Sequence, residues 1–223
     1  RRKVAKASSV RSVVNQKTCI ITGGAQGFGR GIAEKMVKEG ANVIIADINE
    51  EAGHKSQQEI TQTAGKNEIL FQKTNVSEPG EIKTLIKRAV QWFGGIDVYI
   101  SNAGILHAGS LEEMEPDVFE RMTKINYEAY FLGAKYVSPV MRLQNRYNSS
   151  QFSDIIQINS KSGLKGSNKN FAYAGGKFGG LGLTQSFALE LAPYRIKVNS
   201  ICPGNFFERP LWADPEHGLF VQY

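Results

Sequence analysis

Tyr173 and Lys177 stand four residues apart and carry the clearest acid–base chemistry in this sequence. In a helix that spacing puts both side chains on one face, a turn apart. A phenol ordinarily ionises near pH ~10, too high for a base at neutral pH. A neighbouring ammonium favours the phenolate, so Lys177 is expected to lower the Tyr173 pKa. Such a phenol can take the proton of an alcohol as hydride leaves its carbon, and return it in reduction. Tyr-x-x-x-Lys also occurs as a solvated pair on helix surfaces, so the surroundings must decide. Ser160 lies 13 residues before Tyr173, at the end of an apolar run. A hydroxyl there can hold a substrate oxygen beside the phenol. Asn126, inside a long helical stretch, is placed to bind backbone and water near the lysine, or is a surface or capping asparagine.

A second constellation is glycine-rich. Thr22-Gly23 is followed by Gly27 and Gly29, with Gln26 and Phe28 between them. The glycines allow a tight turn and let a pyrophosphate approach the backbone. The helix that follows offers free N–H groups and a positive dipole end to the anion. A glycine triplet alone is weak evidence, but here a strand precedes it and a helix follows. An acid, Asp47, then closes the next strand, 24 residues after Gly23. Its carboxylate can accept both hydroxyls of an adenosine ribose and would repel a 2′-phosphate, which favours NAD over NADP. Neither Ile48 nor Asn49 supplies a base that would reverse this. The plain alternative is a strand–helix turn with a capping aspartate.

The elements that must position these groups follow from the apolar pattern. Short β-prone runs occupy 17–22, 42–46, 68–71, 96–101, 154–159 and 195–201. Helical patterns fill 27–38, 49–64, the stretch from Ser77 to Phe93, 116 to about 143, and 171–191. Gly40 stops the first helix, and Ser77 with Pro79 marks the start of the third. The alternation predicts one α/β domain, a Rossmann-like doubly wound parallel sheet with helices on both faces. Strands without polar alternation fit burial on both sides. Residues 1–16 read as a basic N-terminal arm and 17–223 as the NAD-binding domain.

Hydrophobic residues make up 41% and charged residues 22%, a soluble globular balance. No apolar run reaches the ~18 residues of a membrane span, and no hydrophobic signal segment opens the sequence. Cys19 and Cys202 lie in apolar strand-like stretches and are expected as buried thiols in a reducing cytoplasm. Six of the 27 basic residues fall within 1–17, which contain no acid; the other 21 balance 21 acids. The net charge of +6 therefore belongs to the arm. It could serve nucleic acid, membrane, a partner subunit or an organelle-targeting leader. A solvated leader is the expected reading, with no nucleic acid or membrane partner. His54, His107 and His217 are scattered, so no metal site is expected.

Taken together, Thr-Gly-x3-Gly-x-Gly, Asn102-Ala103-Gly104, Asn126, Ser160, Tyr173-x3-Lys177 and Pro203-Gly204 resemble the short-chain dehydrogenase/reductase family in order and spacing over about 17–204. The resemblance implies catalytic roles for Ser160, Tyr173 and Lys177, a proton relay through water completed by Asn126, and a lysine that also holds the nicotinamide ribose. It implies a dinucleotide site of Gly23, Gln26, Gly27, Phe28, Gly29, Asp47, Ile48, Asn75, Val76, Asn102, Ala103, Gly104, Tyr173, Lys177, Pro203, Gly204 and Phe206. It further implies a homodimer or homotetramer, with Phe119, Tyr127, Tyr130, Phe131, Phe178 and Phe187 as candidates for either a subunit seam or intrachain core. There are departures. Asn75 replaces an acid that usually faces adenine, and Glu208 replaces a threonine that contacts the carboxamide. The helix and seventh strand that normally follow are not in this sequence, so a C-terminal portion is expected to be missing.

For the substrate, Lys161, Lys165 and Lys169 recur every four residues after Ser160, and Arg209 follows the Pro-Gly turn. Lysine suits phosphate, although solvated loop charges would look the same. The segments 158–163, 166–173, 203–207 and 210–212 are similar to the branch of sorbitol-6-phosphate 2-dehydrogenases. That resemblance implies oxidation of sorbitol 6-phosphate to fructose 6-phosphate with NAD. Lys161, Lys165 and Arg209 are then the candidate contacts to the phosphate of a hexitol phosphate, and Asn159, Asn205 and Glu208 to its hydroxyls. Alternatives are a dehydrogenase or reductase of an unphosphorylated polyol, a ketone or a steroid, and a non-catalytic NAD-binding regulatory protein. A carrier-bound ketoacyl reductase would usually use NADPH, against which Asp47 argues.

Overall fold

Alternate residues of the strands feed two separate cores. The computed structural model describes residues 12–62, 64 and 68–205. Ile20 and Ile44 pack on one face of the sheet, with Tyr99 and Ile155. Cys19, Ile21, Val43 and Ile45 pack on the other. Both faces are apolar because both are covered, as expected of parallel sheets. A fully buried isoleucine contributes about 1.5–3 kcal/mol, so this double core is the main support of the sheet.

The strands are β1 (Thr18–Thr22), β2 (Asn42–Asp47), β3 (Ile69–Lys73), β4 (Val98–Ser101), β5 (Ser153–Ile158) and β6 (Ile196–Ile201). All pair in parallel, in the order β3-β2-β1-β4-β5-β6. The order reverses direction between β1 and β4. In such sheets the crevice outside the carboxyl ends of these strands is the ligand site.

Helices α1 (Gly27–Lys38) and α2 (Glu50–Thr61) supply Ala33, Val37 and Ile60 to one core. Helices α3 (Pro79–Phe93), α5 (Ala129–Tyr147) and α6 (Phe171–Leu191) supply the other. Helix α3 starts with Pro79 in its first turn and stops at Gly94, whose φ of 78° is the left-handed C-terminal conformation. Ser77 does not cap it: its hydroxyl donates to Asn75 Oδ1 at 2.8 Å, and Glu78 occupies the cap position.

The stretch expected as one long helix or two abutting ones is α4 (Pro116–Thr123), a π-helical turn (Lys124–Glu128) and α5 in continuous succession. The wide turn carries Asn126 and fits the tendency of π-bulges to fall at functional sites. Of the aromatic residues offered for either seam or core, Tyr130 is buried and packs on Phe187 at 5.6 Å. Phe119, Phe131 and Phe178 are exposed. Cys19 is buried and Cys202 half-buried, both as free thiols. Among the described residues no helix is long and apolar enough to cross a membrane.

Candidate active site

A cavity of about 770 Å³ opens over the carboxyl ends of the central strands. One end is built on the β1–α1 turn. Gly23 (φ 61°) and Gly27 (φ 56°) adopt left-handed backbone that other residues enter with strain. A Cβ on Gly29 would lie 2.1 Å from the Gly23 carbonyl oxygen, so only glycine lets the helix start this close to the strand end. A Cβ on Gly27 would meet nothing within 4 Å; that side is open space. Gln26, Gly27 and Phe28 line the cavity at the helix N-terminus.

The neighbouring strand end is tied to the same turn. Asn102 Nδ2 donates to the carbonyls of Thr22 (2.9 Å) and Gly23 (3.0 Å). Thr22 Oγ1 accepts from the N–H groups of Asn102 and Ala103 at 3.0 and 3.1 Å. The Asn102-Ala103-Gly104 segment is therefore a wall of the cavity held by β1. Asp47 closes β2, and each carboxylate oxygen accepts one backbone N–H, from Ala25 at 3.1 Å and Asn49 at 3.0 Å. Each oxygen keeps lone pairs for a further donor. Ile48, Thr74, Asn75 and Val76 continue the wall. Asn75 Oδ1 is engaged by Ser77, which leaves its NH₂ as the end suited to a base edge. An open glycine cradle at a helix N-terminus, with a carboxylate beside it, fits a dinucleotide with an unphosphorylated ribose.

The other end holds the proton chemistry. Ser160 ends the β5 segment and begins a 3₁₀ turn (Lys161–Gly163); its hydroxyl accepts from the Ser162 N–H at 3.1 Å. A Cβ on Gly163 would sit 2.9 Å from the Lys177 carbonyl oxygen, so the turn can pack this tightly on α6 only with glycine there. Tyr173 lies one turn before Lys177 on α6, with Ser160 near enough to act on its hydroxyl. Lys177 is 4% exposed. Its ammonium donates to the Ile158 carbonyl at 2.9 Å and sits 5.4 Å from the centre of the Tyr173 ring.

The electrostatics correct one expectation. Burial is the largest influence on Tyr173 and raises its pKa; the Ser160 hydrogen bond pulls the other way. The ammonium is itself desolvated, which brings Lys177 down to about 8. For both groups, removal from water outweighs the attraction expected from their spacing.

Asn126 also differs in detail from its expected part. It is 3% exposed, and both ends of its amide bind Ile105: Oδ1 accepts from the N–H at 3.1 Å and Nδ2 donates to the carbonyl at 2.8 Å. The side chain binds backbone, as expected, and holds the segment after Gly104; one lone pair and one N–H hydrogen of the amide remain. Asn159, expected at a substrate hydroxyl, lines the cavity but is 4% exposed, and both its N–H donors are used within the protein. Its Oδ1 accepts from the Ser160 N–H, and its Nδ2 donates to Gln157 and to the Lys177 carbonyl.

Lys161 lines the cavity; Lys165 and Lys169 are exposed and do not. The spacing of four would align them only on a continuous α-helix, and the 3₁₀ turn has three residues per turn and ends at Gly163. Pro203, Gly204 and Asn205 line the cavity. Phe206, Glu208 and Arg209, like Arg1 through Arg11 of the basic arm, lie outside the described residues. Sequence reasoning missed Ile105, Leu106 and Ile125, which give the cavity an apolar side, and Ser162, Ser167 and Asn170, which give it a polar one. Only Asn170 left a readable signal, as an asparagine directly before a helix.

The comparisons with known proteins agree with this geometry. The sequence profile of the family described as short chain dehydrogenase matches residues 17–211. The chain is 35% identical over 216 residues to trans-4-hydroxycyclohexanecarboxylate dehydrogenase of Sinomonas cyclohexanicum, covering 95% of this chain and 80% of that protein. It is 33% identical over 210 residues to sorbitol-6-phosphate 2-dehydrogenase of Escherichia coli K12, covering 93% and 76%. A crystal structure of NAD⁺-bound xylitol dehydrogenase superposes with a TM-score of 0.80 at 30% identity, over 86% of this chain and 71% of that one. The glycine turn, the strand order and the Ser–Tyr–Lys cluster thus occur in a chain matched along most of its length, and the chain belongs to the short-chain dehydrogenase family, as an oxidoreductase acting on CH–OH groups.

Proposed function

We propose that the chain is an NAD-dependent dehydrogenase that interconverts a secondary alcohol and a ketone, with a hexitol phosphate such as sorbitol 6-phosphate as the alcohol. The observation that carries the reaction is the placement of Ser160, Tyr173 and Lys177 at one end of a cavity whose other end is the Gly23–Asp47 cradle. The nicotinamide, when bound, supplies the hydride acceptor. Gly23, Gln26, Gly27, Phe28 and the α1 N-terminus hold the pyrophosphate, Asp47 the adenosine ribose, and Asn75 and Val76 the adenine end. Asn102, Ala103, Gly104, Pro203 and Gly204 border the nicotinamide end.

In oxidation the Tyr173 oxygen takes the carbinol proton while Ser160 Oγ keeps the substrate oxygen beside it. In reduction Tyr173 gives that proton back. Lys177 spends one ammonium hydrogen on Ile158 and keeps two for a ribose hydroxyl and for the charge that develops on Tyr173. Asn126 fixes the Gly104–Ile105 backbone beside them. NAD is preferred because Asp47 would face a 2′-phosphate with no base at Ile48 or Asn49.

Lys161 in the cavity wall, and the similarity to the Escherichia coli sorbitol-6-phosphate enzyme, support a phosphorylated substrate. A second reading, an unphosphorylated polyol, is favoured by the exclusion of Lys165 and Lys169 from the wall and by the likeness to xylitol dehydrogenase. The exposed Phe119, Phe131 and Phe178 support a homo-oligomer formed over α4 to α6, and a cytoplasmic setting suits free thiols. NADH absorbance with NAD or NADP, offered sorbitol 6-phosphate, sorbitol, xylitol and simple secondary alcohols, tests the reading. NAD-linked turnover of several of these alcohols, with the highest kcat/KM for the phosphate, is the expected result. Activity confined to an alcohol without phosphate would keep the reaction and discard the phosphate. NAD binding without turnover of any alcohol would leave a non-catalytic NAD-binding protein.

A further inference from the structure

We propose that Asn170, with Ser162 and Ser167, forms a subsite that selects substrates carrying a second hydroxyl beyond the one oxidised. The inference rests on the reading of Tyr173 as the proton carrier and adds the class of substrate. All three residues line the cavity that holds Tyr173. Asn170 stands three residues before Tyr173, directly ahead of α6, and is 5% exposed. Its Nδ2 donates to Ser167 Oγ at 3.1 Å and more weakly to Ser162 Oγ at 3.5 Å.

Its carbonyl oxygen has no hydrogen-bond partner, the one such buried side-chain atom among the described residues. An asparagine in this place ordinarily accepts an N–H from the first helical turn. Here it makes no such cap bond. Buried acceptors without donors are rare in folded proteins and point to a missing ligand or water. The side chain borders the cavity three residues before the phenol-bearing Tyr173.

The chemistry of the subsite narrows what fills it. Both serine oxygens accept from the amide, so each hydroxyl hydrogen is left to be donated. The amide oxygen is an acceptor in need of a donor. A neutral hydroxyl, which donates and accepts, satisfies both sets at once. A phosphate or carboxylate would take the serine donors and leave the amide oxygen orphaned. A hydrocarbon skeleton would satisfy neither. The subsite therefore suits the next hydroxyl of a polyol, and a phosphate falls to Lys161 elsewhere in the wall.

The test compares the wild type with Asn170→Leu, which removes the amide at similar volume, and with the double variant Ser162→Ala/Ser167→Ala. Should Asn170→Leu fail to fold, the serine variant carries the test. NAD-linked kcat/KM is measured on xylitol, sorbitol 6-phosphate and cyclohexanol, and polyol binding to the NAD-loaded protein by calorimetry. The ratio of polyol to cyclohexanol kcat/KM should fall at least tenfold, mainly through KM for the polyol, with a matching loss of polyol affinity. An unchanged ratio, or equal polyol affinity in wild type and variants, overturns the subsite, as does a wild type that binds no polyol. Failure of the catalytic reading is seen separately, as polyol binding to the wild type without turnover of any alcohol.

Discussion

Asn159 Nδ2 donates to the main-chain oxygen of Lys177 at 2.9 Å, while the Lys177 ammonium donates back to the carbonyl of Ile158 at 2.9 Å. The end of β5 and the middle of α6 are thus joined twice, once from each side, at the level of the reacting groups. Ser160 enters the same link because its N–H donates to Asn159 Oδ1 at 2.7 Å. The relative position of Ser160, Tyr173 and Lys177 is set by this pair.

Replacing Asn159 by leucine should separate positioning from chemistry. Removing its bonds leaves the part-buried Ser160 N–H without this partner, which costs about 1–3 kcal/mol, while the Lys177 carbonyl, inside α6, keeps its helical hydrogen bond. The expected outcome is a lower denaturation midpoint and a kcat reduced tenfold or more, with little change in the KM for NAD. Wild-type kcat in a folded Asn159→Leu protein would show that the packing of α6 alone holds the cluster.

The buried ammonium gives a pH dependence of defined sign. Lys177 titrates near 8 in the folded protein, well below its ordinary value of 10.5, because burial disfavours its charge. Between about pH 8 and 10.5 the unfolded chain binds more protons at this site than the folded one, so its contribution to stability rises with pH. Below about 8 both states are charged there and the slope vanishes. The span corresponds to about 3 kcal/mol at most. Tyr173 is shifted the other way: raised by burial, it costs stability as pH climbs past its unfolded value. Urea unfolding of wild type and Lys177→Met at several pH values isolates the lysine. The stability difference in favour of Lys177→Met should shrink between pH 8 and 10; a constant difference would mean that Lys177 keeps an ordinary pKa.

Cofactor choice follows from Asp47. Each of its oxygens already accepts one backbone N–H, so its charge sits fixed at the edge of the cradle. Exchanging Asp47 for serine and the exposed Ile48 for arginine removes the repulsion and adds a phosphate partner. The KM for NAD should rise about tenfold and NADP should become usable; one good charge-assisted contact, about 1.5–3 kcal/mol, is enough for such a change. Retention of full NAD preference in that double variant would place the discrimination at another residue.

Much of this was legible before the fold was known, and the reasons are local. The runs CIIT and NVIIA leave no polar face, so a strand there has to be covered on both sides. Thr22 to Gly29 announces its turn because no residue but glycine fits at Gly23 and Gly29. The Tyr173–Lys177 spacing reads directly from helix geometry. What stayed hidden depends on contacts between distant segments. Nothing near Asn126 in sequence says that both ends of its amide will bind Ile105. The spacing of Tyr173 and Lys177 conveys attraction, but the desolvation that outweighs it comes from the covering of α6 by other elements. Lysines every four residues imply one face only if the backbone is α-helical, and after Ser160 it is not.

That last point separates the lysines experimentally. Lys161 is in the cavity wall beside Ser160, and its own N–H donates to the Pro203 carbonyl at 2.9 Å, which fixes its backbone across the mouth of the site. Lys165 is exposed outside the wall. If a substrate phosphate is bound here, Lys161→Ala should raise the KM for sorbitol 6-phosphate about tenfold, as loss of one charge-assisted contact of roughly 1.5–3 kcal/mol predicts. It should leave the KM for xylitol or sorbitol within twofold. Lys165→Ala should change neither. The effect at Lys161 should also fade with added salt, since the site is open to solvent and screening acts over about 8–10 Å at ordinary ionic strength. Equal losses on phosphorylated and unphosphorylated polyols would assign Lys161 to the shape of the wall rather than to charge recognition. No loss at either lysine would move phosphate recognition out of the 161–169 turn altogether.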